Sequence, residues 1–168
     1  MKSKSERRGK KEEKISVLFV DDEPDILEQA EIYLPKQDDR LEVKTAPSPK
    51  KGFKILNEYP IDVIVSDYIM PEIDGLEFLR RLRDKEIELP FIMLTGKGGK
   101  KIARKTSELG GDHFLLKGGN PKETYKLLSN YVTELAAEGS KPIEERISPK
   151  APYTEEKEEN DMIILFVD

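Results

Sequence analysis

Three short apolar runs in this chain stop abruptly on charge. Ile15-Ser16-Val17-Leu18-Phe19-Val20 runs into Asp21-Asp22, Ile61-Asp62-Val63-Ile64-Val65-Ser66 into Asp67, and His113-Phe114-Leu115-Leu116 into Lys117. Runs of this length, rich in β-branched and aromatic residues, read as strands buried on both faces of a parallel sheet. In an open α/β sheet the crevice beyond the carboxyl ends of the strands is where ligands bind. If these strands are neighbours, three carboxylates and one ammonium meet there. Carboxylates crowded together repel, so the group is tolerable around a hard cation such as Mg²⁺. The pattern therefore points to metal-assisted phosphate chemistry with an aspartate as nucleophile.

Between the runs lie helical patterns, and the alternation predicts βαβ units from Ile15 to about Ala137. Strands are expected at 15–20, 41–45, 61–66, 91–94 and 113–116. Ile26, Ala30 and Leu34 recur at helical spacing until Pro35, which is expected to stop the first helix. A second helix is expected at about 48–58, opened by Ser48-Pro49. Leu76, Leu79 and Leu82 mark the third. A short basic fourth spans about 100–109, and Leu128, Val132 and Leu135 mark the last.

The chain of 168 residues is expected to hold one domain plus tails. Residues 1–14 carry seven Lys/Arg against three Glu and read as a disordered basic arm. Residues 138–161 hold three prolines and seven Glu and read as an acidic linker. Residues 162–168 then repeat Leu-Phe-Val-Asp in register with Ile15–Asp21, as the start of a truncated second domain would. The net charge of −5 argues against general nucleic-acid binding. The chain lacks cysteine, a signal-peptide core and any membrane-length apolar run, so a cytoplasmic location without a membrane partner is expected.

Taken together, Val20-Asp21-Asp22-Glu23, Asp67-Tyr68-Ile69-Met70-Pro71-Glu72-Ile73-Asp74-Gly75, Leu94-Thr95-Gly96 and Gly110 to Lys117 resemble the receiver domain of two-component response regulators. Five features in these segments, the acidic pair, the Asp67 loop, Thr95, Phe114 and Lys117, stand in the family's order and spacing over about 15–137. The resemblance implies an α/β, flavodoxin-like (CheY-like) fold, a doubly wound five-stranded parallel sheet of order 2-1-3-4-5. It implies a phosphorylation-dependent switch in a phosphorelay, not an enzyme in its own right. Asp67 would accept a phosphoryl group from a histidine kinase or phosphotransfer protein. Asp22, Asp67 and the backbone carbonyl of Ile69 would hold Mg²⁺, with Asp21 acting through a water. Lys117 would pair with a phosphoryl oxygen, Thr95 would be the switch hydroxyl, and Phe114 the switch aromatic.

This chain departs from the family pattern at three places. Gly118-Gly119 follows the lysine where proline is usual, the aromatic is Phe rather than Tyr, and an apolar Ile69 stands two after Asp67. The last implies slow self-dephosphorylation; the first leaves a receiver-type interaction module with little dependence on phosphorylation as the alternative. Other readings fail on residues. A dehalogenase-type phosphatase wants Asp-x-Asp and a β-branched residue where Glu23 and Pro24 stand, and a flavodoxin's phosphate would be repelled by Asp21-Asp22-Glu23. Gly99-Lys100 is followed by Lys101, not the Ser/Thr of a phosphate loop. Lys97, Lys100, Lys101, Arg104 and Lys105 form a basic face where an unknown downstream protein could bind. No helix-turn-helix follows Ala137, so a stand-alone receiver or the first unit of a longer protein is expected, without nucleic acid as partner.

Overall fold

The apolar runs become the strands of one parallel sheet ordered β2-β1-β3-β4-β5. They are β1 (Ile15–Val20), β2 (Leu41–Ala46), β3 (Val63–Ser66), β4 (Phe91–Thr95) and β5 (His113–Leu116). Five helices connect them or follow them: α1 (Pro24–Gln37), α2 (Pro49–Glu58), α3 (Gly75–Asp84), α4 (Lys100–Glu108) and α5 (Pro121–Gly139). The structure, a computed structural model, describes residues 13–139. The basic arm up to residue 12, the linker from residue 140 and the 162–168 repeat lie outside the described residues.

Successive residues of a strand face opposite sides, and both sides here are covered. Val17 and Phe19 of β1 join Val63, Val65, Ala30, Leu34, Leu128 and Val132 under α1 and α5. Leu18 and Val20 join Ile64, Phe78, Leu79, Leu82 and Met93 under α2, α3 and α4. Each such large side chain, fully buried, contributes about 1.5–3 kcal/mol. The sheet is thus held from both faces, and its strand ends make a rigid platform.

Several expected element bounds need correction. Pro35 does not stop α1, which runs on to Gln37. Proline's φ suits a helix, and the carbonyl left without a donor belongs to exposed Glu31, where water can serve it. Leu34 is wholly buried, and its carbonyl still accepts from the Asp38 N–H at 3.2 Å. Strand β3 begins at Val63, two residues late, because Asp62 closes the ladder itself. Its N–H donates to the Ser16 carbonyl, and its carboxylate accepts from the Ser16 N–H, both at 2.8 Å. Strands β2 and β4 each gain one residue, and α5 continues two residues past Ala137. Among the described residues no helix is long and apolar enough to cross a membrane.

Candidate functional site

The register brings the strand ends flush. Val20 pairs with Ala46 on one side and Ser66 on the other, so Asp21 and Asp67 leave the sheet side by side. The Asp21 N–H donates to the Ala46 carbonyl at 3.1 Å and the Asp67 N–H to the Val20 carbonyl at 2.9 Å. On β4 and β5, Thr95 pairs with Leu116, and the Lys117 N–H donates to the Thr95 carbonyl at 2.8 Å. The same sheet edge therefore presents the acidic pair, Asp67, Thr95 and Lys117.

Carboxylate oxygens of Asp21, Asp22 and Asp67 lie within 4.8 Å of one another. Asp21 is wholly buried and Asp67 nearly so, while Asp22 is half-buried. Lys117 bridges the group: its Nζ donates to Asp21 Oδ2 at 2.7 Å and stands 3.7 Å from Asp67 Oδ2. Burial pushes the Asp21 carboxyl above its ordinary value, against the opposing pull of hydrogen bonds from Lys117 Nζ and the Glu23 N–H. One ammonium cannot balance three carboxylates, so the cluster retains excess negative charge in a site largely shut off from water. A donor set of hard carboxylate oxygens with that excess fits a divalent cation such as Mg²⁺.

The loop after β3 is built to hold Asp67. The Tyr68 N–H donates to Asp67 Oδ1 at 2.7 Å, and Ser66 Oγ donates to the Asp67 carbonyl at 2.8 Å. Gly75 returns the chain: its N–H donates to the Tyr68 carbonyl at 2.7 Å, and a Cβ there would lie 2.3 Å from the Asp67 carbonyl oxygen. Asp74 then caps α3, its Oδ1 accepting from the Glu77 N–H at 2.8 Å. Ile69, two residues after Asp67, is 51% exposed.

Thr95 is buried, and its Oγ1 accepts from the Lys97 N–H at 3.2 Å. Phe114 is fully buried among the residues under α4, where a Cβ at Gly98 would lie 3.3 Å from its ring. Gly118 and Gly119 pack against nothing at the Cβ position, and Gly119 takes φ 61°. His113 is a buried strand residue whose ring lies 4.0 Å from that of Tyr131 on α5.

Two groups escaped the sequence reading. Tyr125 of α5 stacks on Tyr33 of α1 at 5.4 Å, and with Ile26 and Gln29 it lines a cleft of about 310 Å³ running to Lys117. Burial first, and the Asp21 charge after it, push the Tyr125 hydroxyl up to about 12. No motif marks this residue; only its helical spacing before Leu128 and Val132 hints at an inward face. Asp112 repeats at β5 what Asp62 does at β3, its Oδ2 accepting from the Phe91 N–H at 2.9 Å. An Asp just before each apolar run was the available signal.

The family model described as the response regulator receiver domain matches residues 17–129. Response regulator SaeR of Staphylococcus aureus (strain USA300) is 29% identical over 129 residues, 77% of this chain and 55% of that protein. The chain thus spans about half the length of the curated relatives it matches. Among solved structures, the Francisella response regulator 1452 receiver domain matches with TM-score 0.66 and 25% identity, covering 75% of this chain and 99% of that one. Chemotaxis response regulator CheY4 of Vibrio cholerae matches with TM-score 0.62 and 30% identity, over 71% and 98%. Response regulator TrrA of Thermotoga maritima, solved in complex with Mg²⁺ and beryllium fluoride, matches with TM-score 0.61 and 26% identity, over 72% and 98%. This chain belongs to the response regulator receiver domain family. Its sheet has the order that the resemblance implied.

Proposed function

We propose that the chain is a phosphorylation-controlled switch in which Asp67 accepts a phosphoryl group from the phosphohistidine of a histidine kinase or phosphotransfer protein. The observation that carries this reading is the cluster of Asp21, Asp22 and Asp67 within 4.8 Å, bridged by Lys117. Asp22, Asp67 and the Ile69 carbonyl would hold Mg²⁺, with Asp21 acting through a water. Bound there, the ion would cancel the charge that otherwise repels an incoming phosphoryl group.

The chain's own groups do the rest. An Asp67 carboxylate oxygen attacks phosphorus, the P–N bond to the donor imidazole breaks, and the imidazole leaves with the bonding pair. Lys117 moves from Asp21 to a phosphoryl oxygen, a short shift since it already stands 3.7 Å from Asp67. Thr95 turns its hydroxyl from the Lys97 amide to another phosphoryl oxygen, and Phe114 takes up the space that Thr95 leaves. The exposed apolar Ile69 orders attacking water poorly, which lengthens the life of the acyl phosphate. Residues 15–137 form the switching unit, which acts in the cytoplasm because its donor kinase draws on ATP. A downstream protein binds through the 97–105 face.

The test is incubation with acetyl phosphate or a cognate kinase, with and without Mg²⁺. Phosphate should appear on the intact protein only with the cation, and Asp67→Ala should abolish it. Label at another residue would sink the assignment. Partner binding that survives Asp67→Ala unchanged would favour an interaction module with little dependence on phosphorylation.

A further inference from the structure

The cleft between α2, α3 and the loop that precedes α3 is both apolar and positively charged. Its volume is about 420 Å³. Pro47, Pro49, Phe53, Pro71 and Ile73 supply the apolar lining, and Lys50, Arg81 and Lys85 the cations. Proline has a fixed φ and no amide proton, so three prolines leave this lining rigid and poor in backbone donors. Phe53 meets Phe78 edge to face, with ring centroids 5.2 Å apart, and that contact fixes its ring. A preformed apolar cleft of this size takes up a ligand side chain at small cost in ordering.

The protein does not neutralise these cations itself. Lys50 is exposed in the first turn of α2 and pairs with no carboxylate among the described residues. Lys85 Nζ lies 4.7 Å over the Phe53 ring and has no carboxylate partner among them either. Arg81 gives only its Nε to Glu77, at 3.1 Å, and Glu77 also accepts from Arg80. The one acid in the lining, Glu72, forms no ion pair with any of the three among the described residues. Exposed Lys54, one turn after Lys50, adds to the charge.

We propose that this cleft docks an acidic peptide segment of a partner protein, with one aromatic or aliphatic side chain against Phe53 and Ile73 and carboxylates on Lys50, Arg81 and Lys85. The surface shares no residue with the 97–105 face, and the docking needs no phosphoryl group on Asp67. The backbone of one wall supports the assignment. The Ile73 N–H donates to the Pro71 carbonyl at 2.9 Å, closing a three-residue turn around Glu72 at φ 71°. That conformation is strained for a residue with a side chain, and such strain gathers at ligand clamps and switch regions. Here it joins the two apolar residues of the wall, in the loop that runs from Asp67 to Gly75.

Other occupants fit less well. A helix N-terminus holds phosphate through free amides, but Pro49 has none. The Lys51 N–H donates to Ser48 Oγ at 3.2 Å, and the Gly52 N–H to the Ser48 carbonyl at 2.9 Å. A lipid surface or a nucleic-acid backbone would meet the cations without filling the apolar floor. The same peptide would be repelled from the cleft that runs to Lys117, where Asp21, Asp22 and Asp67 leave excess negative charge.

The experiment titrates the unphosphorylated, metal-free full chain with a synthetic peptide in which one phenylalanine stands between two runs of glutamate. Amide spectra should show saturable shifts at 50–53, 72–73 and 85. Replacing the peptide's phenylalanine by alanine should weaken binding about tenfold or more, as expected for one buried aromatic side chain. Lys50→Glu with Lys85→Glu should weaken it about tenfold, two exposed pairs having become repulsions. Both positions are exposed, so amides away from the cleft should stay in place. A peptide with lysine in place of glutamate should bind that double variant and not the unaltered chain. Equal binding of the alanine peptide would reduce the effect to bare charge attraction and overturn the proposal. Shifts confined to 97–105, or none, would overturn it as well. Anionic vesicles or single-stranded DNA that shift the same amides at lower concentration than the peptide would assign the surface to another class of partner and overturn it too. Because no phosphoryl transfer is measured, the outcome is independent of the Asp67 assignment.

Discussion

Asp21 is wholly buried at the end of β1, and Lys117 answers its charge from 2.7 Å. Burial nevertheless raises its pKa above the unfolded value near 3.8, so folding disfavours the charged form relative to the unfolded chain. A raised carboxyl pKa adds stability that is present below about pH 3.8 and lost as pH climbs through the folded value. Asp21→Asn mimics the neutral form and keeps an oxygen for Lys117. In chelator, urea unfolding at pH 7 should find the variant more stable by on the order of 1 kcal/mol, with the gap closing near pH 3. A variant less stable at pH 7 would mean that the Lys117 pair outweighs desolvation. In the proposed switch the Asp21 carboxylate would act on Mg²⁺ through a water, and the fold bears the cost of burying it.

Helix α3 shows how an element constrains the loop that holds Asp67. Its first residue, Gly75, has no room for a Cβ: one would lie 2.3 Å from the Asp67 carbonyl oxygen and 2.7 Å from Met93 Sδ. The methionine can yield, but the backbone oxygen cannot without shifting the loop that holds Asp67. Gly75→Ala should therefore cost about 1–3 kcal/mol in thermal or urea unfolding and slow phosphorylation, even though Ala favours a helix. An unchanged phosphorylation rate would show that the loop holds Asp67 independently of α3. Helix α4 contrasts with α3: it follows a glycine-rich stretch, and its own charges work against it.

Across the molecule, the site joins strands separated by long stretches of sequence; Lys117 and Asp21 are 96 residues apart. Any ligand that draws Lys117 from Asp21 and reorients Thr95 acts at the ends of β1, β3, β4 and β5 together. The segments free to respond are Gly96–Lys100 and Gly118-Gly119, where Gly96, Gly118 and Gly119 have open space at the Cβ position. Amide exchange there should be fast in the unmodified protein and slow when Mg²⁺ and beryllium fluoride are added. Exchange unaltered by both additions would argue that no switch runs through Thr95 and Phe114.

Strand content, the acidic strand ends and the helix faces were legible in the sequence because they follow from local periodicity. Val17 to Val20 alternate between two cores whatever their partner strands are. The resemblance supplied the strand order, and the sheet bears it out. Local pattern could not say where β3 begins or where α1 ends, because each depends on a distant or solvent partner. Asp62 closes on Ser16 across 46 residues, and the carbonyl deprived by Pro35 belongs to exposed Glu31. Nor could it say which carboxylate Lys117 would choose, or that Gly75 lies against Asp67. The residue types at the site are written along the chain, but distances between side chains exist only once register and packing bring remote segments together.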